Sequence, residues 1–482
     1  MSVAIPNELL IGGDWVPAAS RASESVTSPW DGRVVGEVPV AGAVDVEAAL
    51  AAAEHGANVW RETPAYARMD VMNAAAALVE ARSEEIAAVL SAENGKTITE
   101  ARGEVGRAGD MIRLAGYEGT QLYGDTLPLD ANRGTGQDKL GFTLRQPCGI
   151  VVAITPFNYP SLLVLHKVAP ALAAGNAVVL KPARTTPLTA LMLAQAFMDA
   201  GLPAGVLSVL TGSGADLGDM LVSDPRVRKI SFTGSTATGQ RITTMAGVKK
   251  LSLELGASCP VVILPDADLE AAAAAIALGG YVNAGQVCIS VQRVITHPSI
   301  NADFLDALVP KVAAIPVGDP ASDSSRMGTL ITSREADRVY AAIQAAAGQG
   351  ASVLTGGELH GACVSPAVVA GVDPTSSIAQ DELFGPAVAV STADDWTAAI
   401  AQANGTGYGL GAGVFTADVS GAVRAIRQID AGIIHINWTP LWRADLMPYG
   451  GLKASGIGKE GFRSAVEEMT EVKTVILHGK PW

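Results

Sequence analysis

The sequence predicts an α/β fold made of two doubly wound domains. Three observations carry that reading. From residue 149 onward, short β-branched runs alternate with helical stretches. The runs show little polar alternation, as parallel strands covered on both faces require. A second alternation of the same kind begins near residue 260. The chain has 482 residues. At ~150 residues per domain that leaves room for two or three domains, each with a sizeable core.

The elements follow in order. Residues 45–92 read as helices: Asp45 is placed to cap the run VEAALAAAEHGA, and Thr63 with Pro64 opens a second long helix through Ala92. GIVVAI (149–154) is a strand ended by Pro156, and a helix follows over 161–174. Then come strand 177–181, helix 187–200, strand 205–210, helix 215–222, strand 228–233, helix 236–246 and strand 250–254. This is a nucleotide-binding architecture in outline. The second alternation has strand 260–264, a helix near 269–283, strand 291–296, and later runs at 387–391, 411–415 and 432–436. Two strand-like pieces remain, LGFTLR (140–145) and KTVILH (473–478). They are candidates to pair with each other or to form an arm between subunits.

Composition removes several function classes. Hydrophobic residues make up 49% and charged ones 17%, so the chain is not disordered. The net charge of -14 argues against binding nucleic acid or an anionic membrane. Four scattered cysteines make neither a disulfide scaffold nor a CxxC metal site, and the six histidines include no HxxxH. No metal is expected. The start has no basic n-region and is broken by Pro6, Gly12 and Gly13, and no apolar run reaches the ~18 residues of a membrane span. A cytoplasmic setting is the simplest expectation.

Two glycine turns are candidate phosphate sites. Gly212, Gly214 and Gly218 follow a strand as GxGxxxG, which suits a ribose-phosphate contact or a plain strand-to-helix turn. FTGSTATGQR (232–241) nearly matches a P-loop, but Gln240 and Arg241 stand where Lys and a hydroxyl residue are needed, which disfavours kinase or ATPase chemistry. A helix N-terminus there suits either a dinucleotide pyrophosphate or a simple Ser/Thr cap. Cys288, in NAGQVCISVQR, sits between a helix and a strand, where a thiol is either reachable by substrate or structural.

The motifs PFNYP (156–160), LKPARTTP (180–187), FTGSTATG (232–239), LELGASCP (253–260), NAGQVCIS (283–290), ELFGP (382–386) and PYGGLKASGIGKEG (448–461) occur in one order along the chain. In them the sequence resembles the NAD(P)-dependent aldehyde dehydrogenase superfamily over essentially its whole length. The resemblance implies that Cys288 attacks the aldehyde, that the Asn158 amide and the Cys288 backbone N–H receive the oxyanion, and that Glu254 activates the water that hydrolyses the thioester. Burial of Glu254 would raise its titration into a useful range. Lys181 and Glu382 are implied to bind the two riboses, with Phe384 nearby. Gly234 and Ser235 are implied to meet the pyrophosphate, and Gly214, Thr238, Leu255 and Pro156 complete the expected cofactor surface. Phe157 is expected to line the substrate tunnel.

The resemblance also implies a division of the chain: a cofactor domain from 1–123 and 146–253, a catalytic domain from 254–443, and an oligomerisation arm from 124–145 and 470–482, with 444–469 returning toward the cofactor domain. A homodimer or homotetramer is expected. Arg184 replaces the glutamate common in NAD-preferring members, so the expectation is NADP, or both NADP and NAD. The stretch WRADLMPYGGLKASG is most similar to the lactaldehyde and succinate-semialdehyde branch. That branch takes small functionalised aldehydes, often anionic, which makes Arg107, Arg443 and Arg293 candidate anion partners. Neutral Val287 weakens a phosphate-ester substrate. Two alternatives remain: a coenzyme A-acylating enzyme, disfavoured by Glu254, and a non-catalytic homologue, disfavoured by the retained set.

Overall fold

The computed structural model describes residues 5–479. Residues 1–4 of the expected cofactor domain and 480–482 of the expected arm lie outside the described residues. The chain is organised on two large sheets and a long antiparallel ribbon.

In the first sheet the strands Leu207–Val209, Ala177–Lys181, Ile150–Ile154, Val227–Thr233 and Lys250–Glu254 lie side by side and parallel. Their apolar side chains are buried because helices cover both faces, one core holding Val151, Ala153 and Val178 and the other Val152 and Val179. Ile150–Ile154 is flanked by Ala177–Lys181, which leads on to Leu207–Val209, and by Val227–Thr233, which leads the other way to Lys250–Glu254. Strand order therefore reverses beside it, which opens a crevice beyond the carboxyl ends. Pro156, Gly234 and Ser235 all follow strands that end at this crevice. Antiparallel strands add to both edges: Leu9–Ile11 on one and Gly456–Ile457 on the other. Neither was foreseen.

The second sheet runs Ser352–Thr355, Ala367–Ala370, Ala387–Thr392, Val291–Thr296, Cys259–Ile263, Gly411–Phe415 and Ile433–Ile436. All its pairings are parallel except the first. Thr470–His478 pairs antiparallel with Lys139–Pro147 over its full length, which resolves the two leftover pieces as partners.

Several local expectations need correction. The first helix is Ala43–Glu62, and Asp45 lies inside its first turn rather than at the cap. Its carboxylate accepts from the N–H groups of Gly42 and Ala19, so it still satisfies the helix end. The long helix of 63–92 is two helices, Ala65–Ala81 and Ser83–Asn94. The break is at Arg82, whose guanidinium reaches Asp199 at 2.6 Å. The helix from Leu269 ends at Gly279. After it, Asn283 and Ala284 adopt left-handed backbone angles that turn the chain toward Cys288.

Candidate active site

Cys288 lies just before the strand Val291–Thr296, in a loop tied down by Gln286. The Gln286 amide donates to Asn283 and Thr329 carbonyls and accepts from the Ile331 N–H. The Cys288 sulfur stands 2.9 Å from the Tyr449 hydroxyl. Its backbone N–H carries no hydrogen bond among the described residues.

Asn158 is held by a buried polar network. Its side-chain amide donates to the Gln286 carbonyl at 2.9 Å, and its own carbonyl accepts from Lys96 Nζ at 2.7 Å and from the Asn283 amide at 2.9 Å. Lys96 is ion-paired with Glu104 at 2.6 Å. Glu104 in turn accepts from the N–H groups of Ser161 and Leu162 at the start of the helix Leu162–Ala173. Every charge here is paired, which is what makes a buried pair tolerable. The network fixes the 156–161 loop from below and leaves the second Asn158 N–H free to donate.

Glu254 is the last residue of its strand and is buried. One of its oxygens has no hydrogen-bond partner among the described residues. Burial, and then the neighbouring charge of Glu460, push its carboxyl well above the usual range. Glu460 behaves oppositely. Burial alone would raise it, but Lys167 at 2.8 Å and Arg443 at 3.2 Å hold it down at about 2. Two buried carboxyls are thus split into one that stays ionised and one that titrates high. Gly450 leaves room for this arrangement, since a Cβ there would come within 2.8 Å of Glu254.

Two clefts meet at the sulfur. One, of about 990 Å³, is lined by Pro156, Gly234, Ser235, Leu255, Glu382 and Phe384. The other, of about 640 Å³, is lined by Glu254, Arg107, Arg443, His166, Tyr449 and Leu163. Asn158, Thr233 and Cys288 border both. Arg107 bonds Asp445, and the Arg443 guanidinium stacks 3.8 Å above the Tyr449 ring. Phe157 does not line the arginine-bearing cleft. It lies in the other, edge-to-face with Phe384. Arg293 is a further correction. Its guanidinium is buried in the second sheet and donates to the carbonyls of Ser258, Gln402 and Ala403, so no donor is directed at either cleft.

The larger cleft suits a dinucleotide. Ser235 caps the helix Thr236–Met245, leaving first-turn N–H groups toward an anion. Thr238 and Gly214 line a neighbouring hollow of about 870 Å³. Lys181 ends its strand beside Gly214, and burial lowers its ammonium to about 8. Glu382 is half-buried; loss of solvent around its carboxyl raises it to about 7, and it accepts from the Ala257 N–H at 2.9 Å. Gly256 lies directly beneath it: a Cβ there would come within 2.7 Å of the Glu382 carboxylate and would push it aside. The buried Thr233 hydroxyl, on the border of the two clefts, has no hydrogen-bond partner among the described residues. Arg184 is largely exposed and paired with Glu24 at 2.6 Å. Among the described residues no group of acidic, histidine and cysteine side chains is arranged to hold a metal ion. No described helix is long and apolar enough to cross a membrane.

Lys96, Glu104 and Tyr449 were not singled out by sequence reasoning. Lys96 and Glu104 look like ordinary charges on a helical stretch. Tyr449 lay inside a quoted motif, but only the fold brings it to a cysteine 161 residues away.

Comparison with known proteins decides the family. The profile of the Aldehyde dehydrogenase family matches residues 15–475. The chain belongs to the aldehyde dehydrogenase family. This aldehyde dehydrogenase is 41% identical over 471 residues to the 3-sulfolactaldehyde dehydrogenase of Priestia aryabhattai, with 98% of each chain covered. It is 36% identical to the succinate-semialdehyde dehydrogenase [NADP(+)] of Escherichia coli, covering 97% of this chain and 96% of that one. The crystal structure of an NAD-dependent aldehyde dehydrogenase from Sinorhizobium meliloti superposes with a TM-score of 0.95 at 37% identity, covering 99% and 96% of the two chains. The protein is therefore an NAD(P)-dependent enzyme that oxidises an aldehyde to the acid.

Proposed function

We propose that this aldehyde dehydrogenase acts on a small aldehyde bearing an anionic group, with Cys288 as nucleophile and Glu254 as general base. The observation that carries the proposal is the meeting of the two clefts at Cys288, one of them bearing Arg107 and Arg443. An aldehyde entering that side shares the cleft with both guanidinium groups and the sulfur. The sulfonate of the substrate named for the Priestia relative and the carboxylate of succinate semialdehyde are anions of the required kind.

Attack by the Cys288 thiolate moves the carbonyl electron pair to oxygen. Asn158 and the Cys288 N–H donate to that oxygen, an effect worth roughly 3–4 kcal/mol per donor in comparable sites. Lys181, Glu382, Gly234 and Ser235 would hold a nicotinamide dinucleotide in the larger cleft, where it would supply the hydride acceptor. Glu254 then takes a proton from the water that attacks the thioester, and the carboxylate product is released.

Lys181 and Glu382 are assigned to the riboses, Gly234 and Ser235 to the pyrophosphate, and Gly214, Thr238, Leu255, Phe384 and Pro156 to the remaining cofactor surface. Arg184 supports NADP, or both cofactors, because a 2'-phosphate finds an exposed guanidinium there. Glu24 beside it tempers the preference by repelling the same phosphate. The antiparallel ribbon is assigned to self-association as a homodimer or homotetramer, within the three-part division set out above, and the setting is cytoplasmic.

A panel of lactaldehyde, glyceraldehyde, succinate semialdehyde, sulfolactaldehyde and benzaldehyde with each cofactor tests the reading. The expected result is highest kcat/KM for an anionic member, lost in Cys288→Ala. Highest kcat/KM for benzaldehyde would overturn the substrate class.

A further inference from the structure

We propose that the Tyr449 hydroxyl is the hydrogen-bond donor that stabilises the Cys288 thiolate, both before attack and when the sulfur is released again by hydrolysis. The proposal rests on Cys288 being the nucleophile. Tyr449 Oη is 2.9 Å from the sulfur and is the one side-chain partner recorded for it among the described residues. Tyr449 is itself buried. Its backbone is pinned to Glu460 by reciprocal hydrogen bonds of 3.0 and 2.6 Å. Its ring is clamped under the Arg443 guanidinium, 3.8 Å from the centroid. The hydroxyl is therefore aimed before any substrate arrives.

The sulfur needs such a donor. Burial pushes the Cys288 thiol up to about 12, and the charges of Glu254 and Glu382 act in the same direction. The Tyr449 hydrogen bond opposes them, as does Arg443 from farther away. The other charged or titratable groups of this cleft are Arg107, Tyr159, His166 and Glu460, with Lys167 behind Glu460, and Cys259 lies behind the loop, donating to the Cys288 carbonyl. Among the described residues none of them is hydrogen-bonded to the sulfur, and burial holds the Tyr159 phenol well above its ordinary value. Tyr449 stays a donor because burial, and the nearby thiol, hold its own phenol well above its ordinary value. The adjacent Arg443 cation draws electron density from the ring and strengthens the O–H as a donor.

The thiol proton leaves to solvent water, and the hydroxyl donates to the anionic sulfur. When the C–S bond forms, the carbonyl π pair goes to oxygen and the sulfur becomes neutral, so the hydrogen bond weakens. After the oxidation that the family reaction supplies, water's oxygen bonds the acyl carbon and its proton goes to Glu254. The C–S pair then returns to sulfur, and Tyr449 donates again. Tyr449 gives up no proton at any stage.

The test is the pH dependence of Cys288 alkylation by iodoacetamide, followed on the Cys288 peptide by mass, in the wild type and in Tyr449→Phe. Phenylalanine keeps the ring under Arg443 and removes only the donor. The midpoint is expected to rise by about one unit, making alkylation about tenfold slower near neutral pH. kcat should fall while KM and thermal stability hold, which a purely structural role for Tyr449 would not produce. Midpoints that agree within about 0.3 unit would overturn the proposal. As a second variant that cannot fail by loss of the hydroxyl, 3,5-difluorotyrosine placed at 449 carries a more acidic phenol and should lower the midpoint. An unchanged or higher midpoint would overturn the proposal equally. Full activity in Cys288→Ala would instead sink the assignment of the nucleophile, a separate failure that the alkylation data do not share.

Discussion

Replacing Arg107 with methionine tests the proposed anion contact. Arg107 is 43% exposed in its side chain and is bonded to Asp445 through one terminal nitrogen. Exposed ion pairs contribute ~0–1 kcal/mol, so the fold should tolerate the change. A hydrogen bond to a charged group is worth about 1.5–3 kcal/mol, or about ten- to 150-fold in kcat/KM. Solvent screening at this half-exposed position selects the low end, about ten- to thirtyfold. Asp445 adds to the loss, because in the variant its carboxylate faces the incoming anion without a counter-charge. The assay is steady-state cofactor reduction with succinate semialdehyde and with neutral glyceraldehyde. The anionic substrate should lose about tenfold or more, and glyceraldehyde less than about twofold. Arg107→Met/Asp445→Asn should recover part of the loss. Equal losses on both substrates would refute the reasoning, since a charge contact discriminates by charge.

Other outcomes follow from the same geometry. Glu254→Gln should give one rapid burst of reduced cofactor and then near-arrest, seen by stopped flow; a steady linear trace would argue for another base. In the wild type, kcat should climb with pH as the Glu254 carboxylate forms. Burial and Glu460 raise its carboxyl, so the active form accumulates only above the ordinary carboxylate range, and the climb should vanish in Glu254→Gln. Arg184→Glu should lower kcat/KM for NADP by about tenfold or more and leave NAD within about threefold. A parallel fall for both cofactors would place Arg184 outside the 2'-phosphate contact.

The parallel strands were legible because burial on both faces leaves an unbroken apolar run, as in Ile150–Ile154 and Ala177–Lys181. Short edge strands such as Gly456–Ile457 were not, since two residues carry no pattern and their pairing with Leu253 and Glu254 is decided by the fold. The break at Arg82 has neither glycine nor proline to announce it. Arg293 misled for a physical reason: a lone cation in an apolar strand looks like a ligand group, but backbone carbonyls reached only in three dimensions satisfy it. The ordered motifs did carry Asn158, Glu254 and Cys288 to one place. They gave no hint of the Lys96–Glu104 brace beneath Asn158.

The shared border at Asn158, Thr233 and Cys288 gives the reaction chamber two doorways with different walls. With the clefts assigned as proposed, traffic through one need not wait for the other to clear, and an acid would depart past the arginines while the spent dinucleotide is still seated. A small sulfonate lodged by those arginines should accordingly compete with the aldehyde and leave dinucleotide affinity untouched.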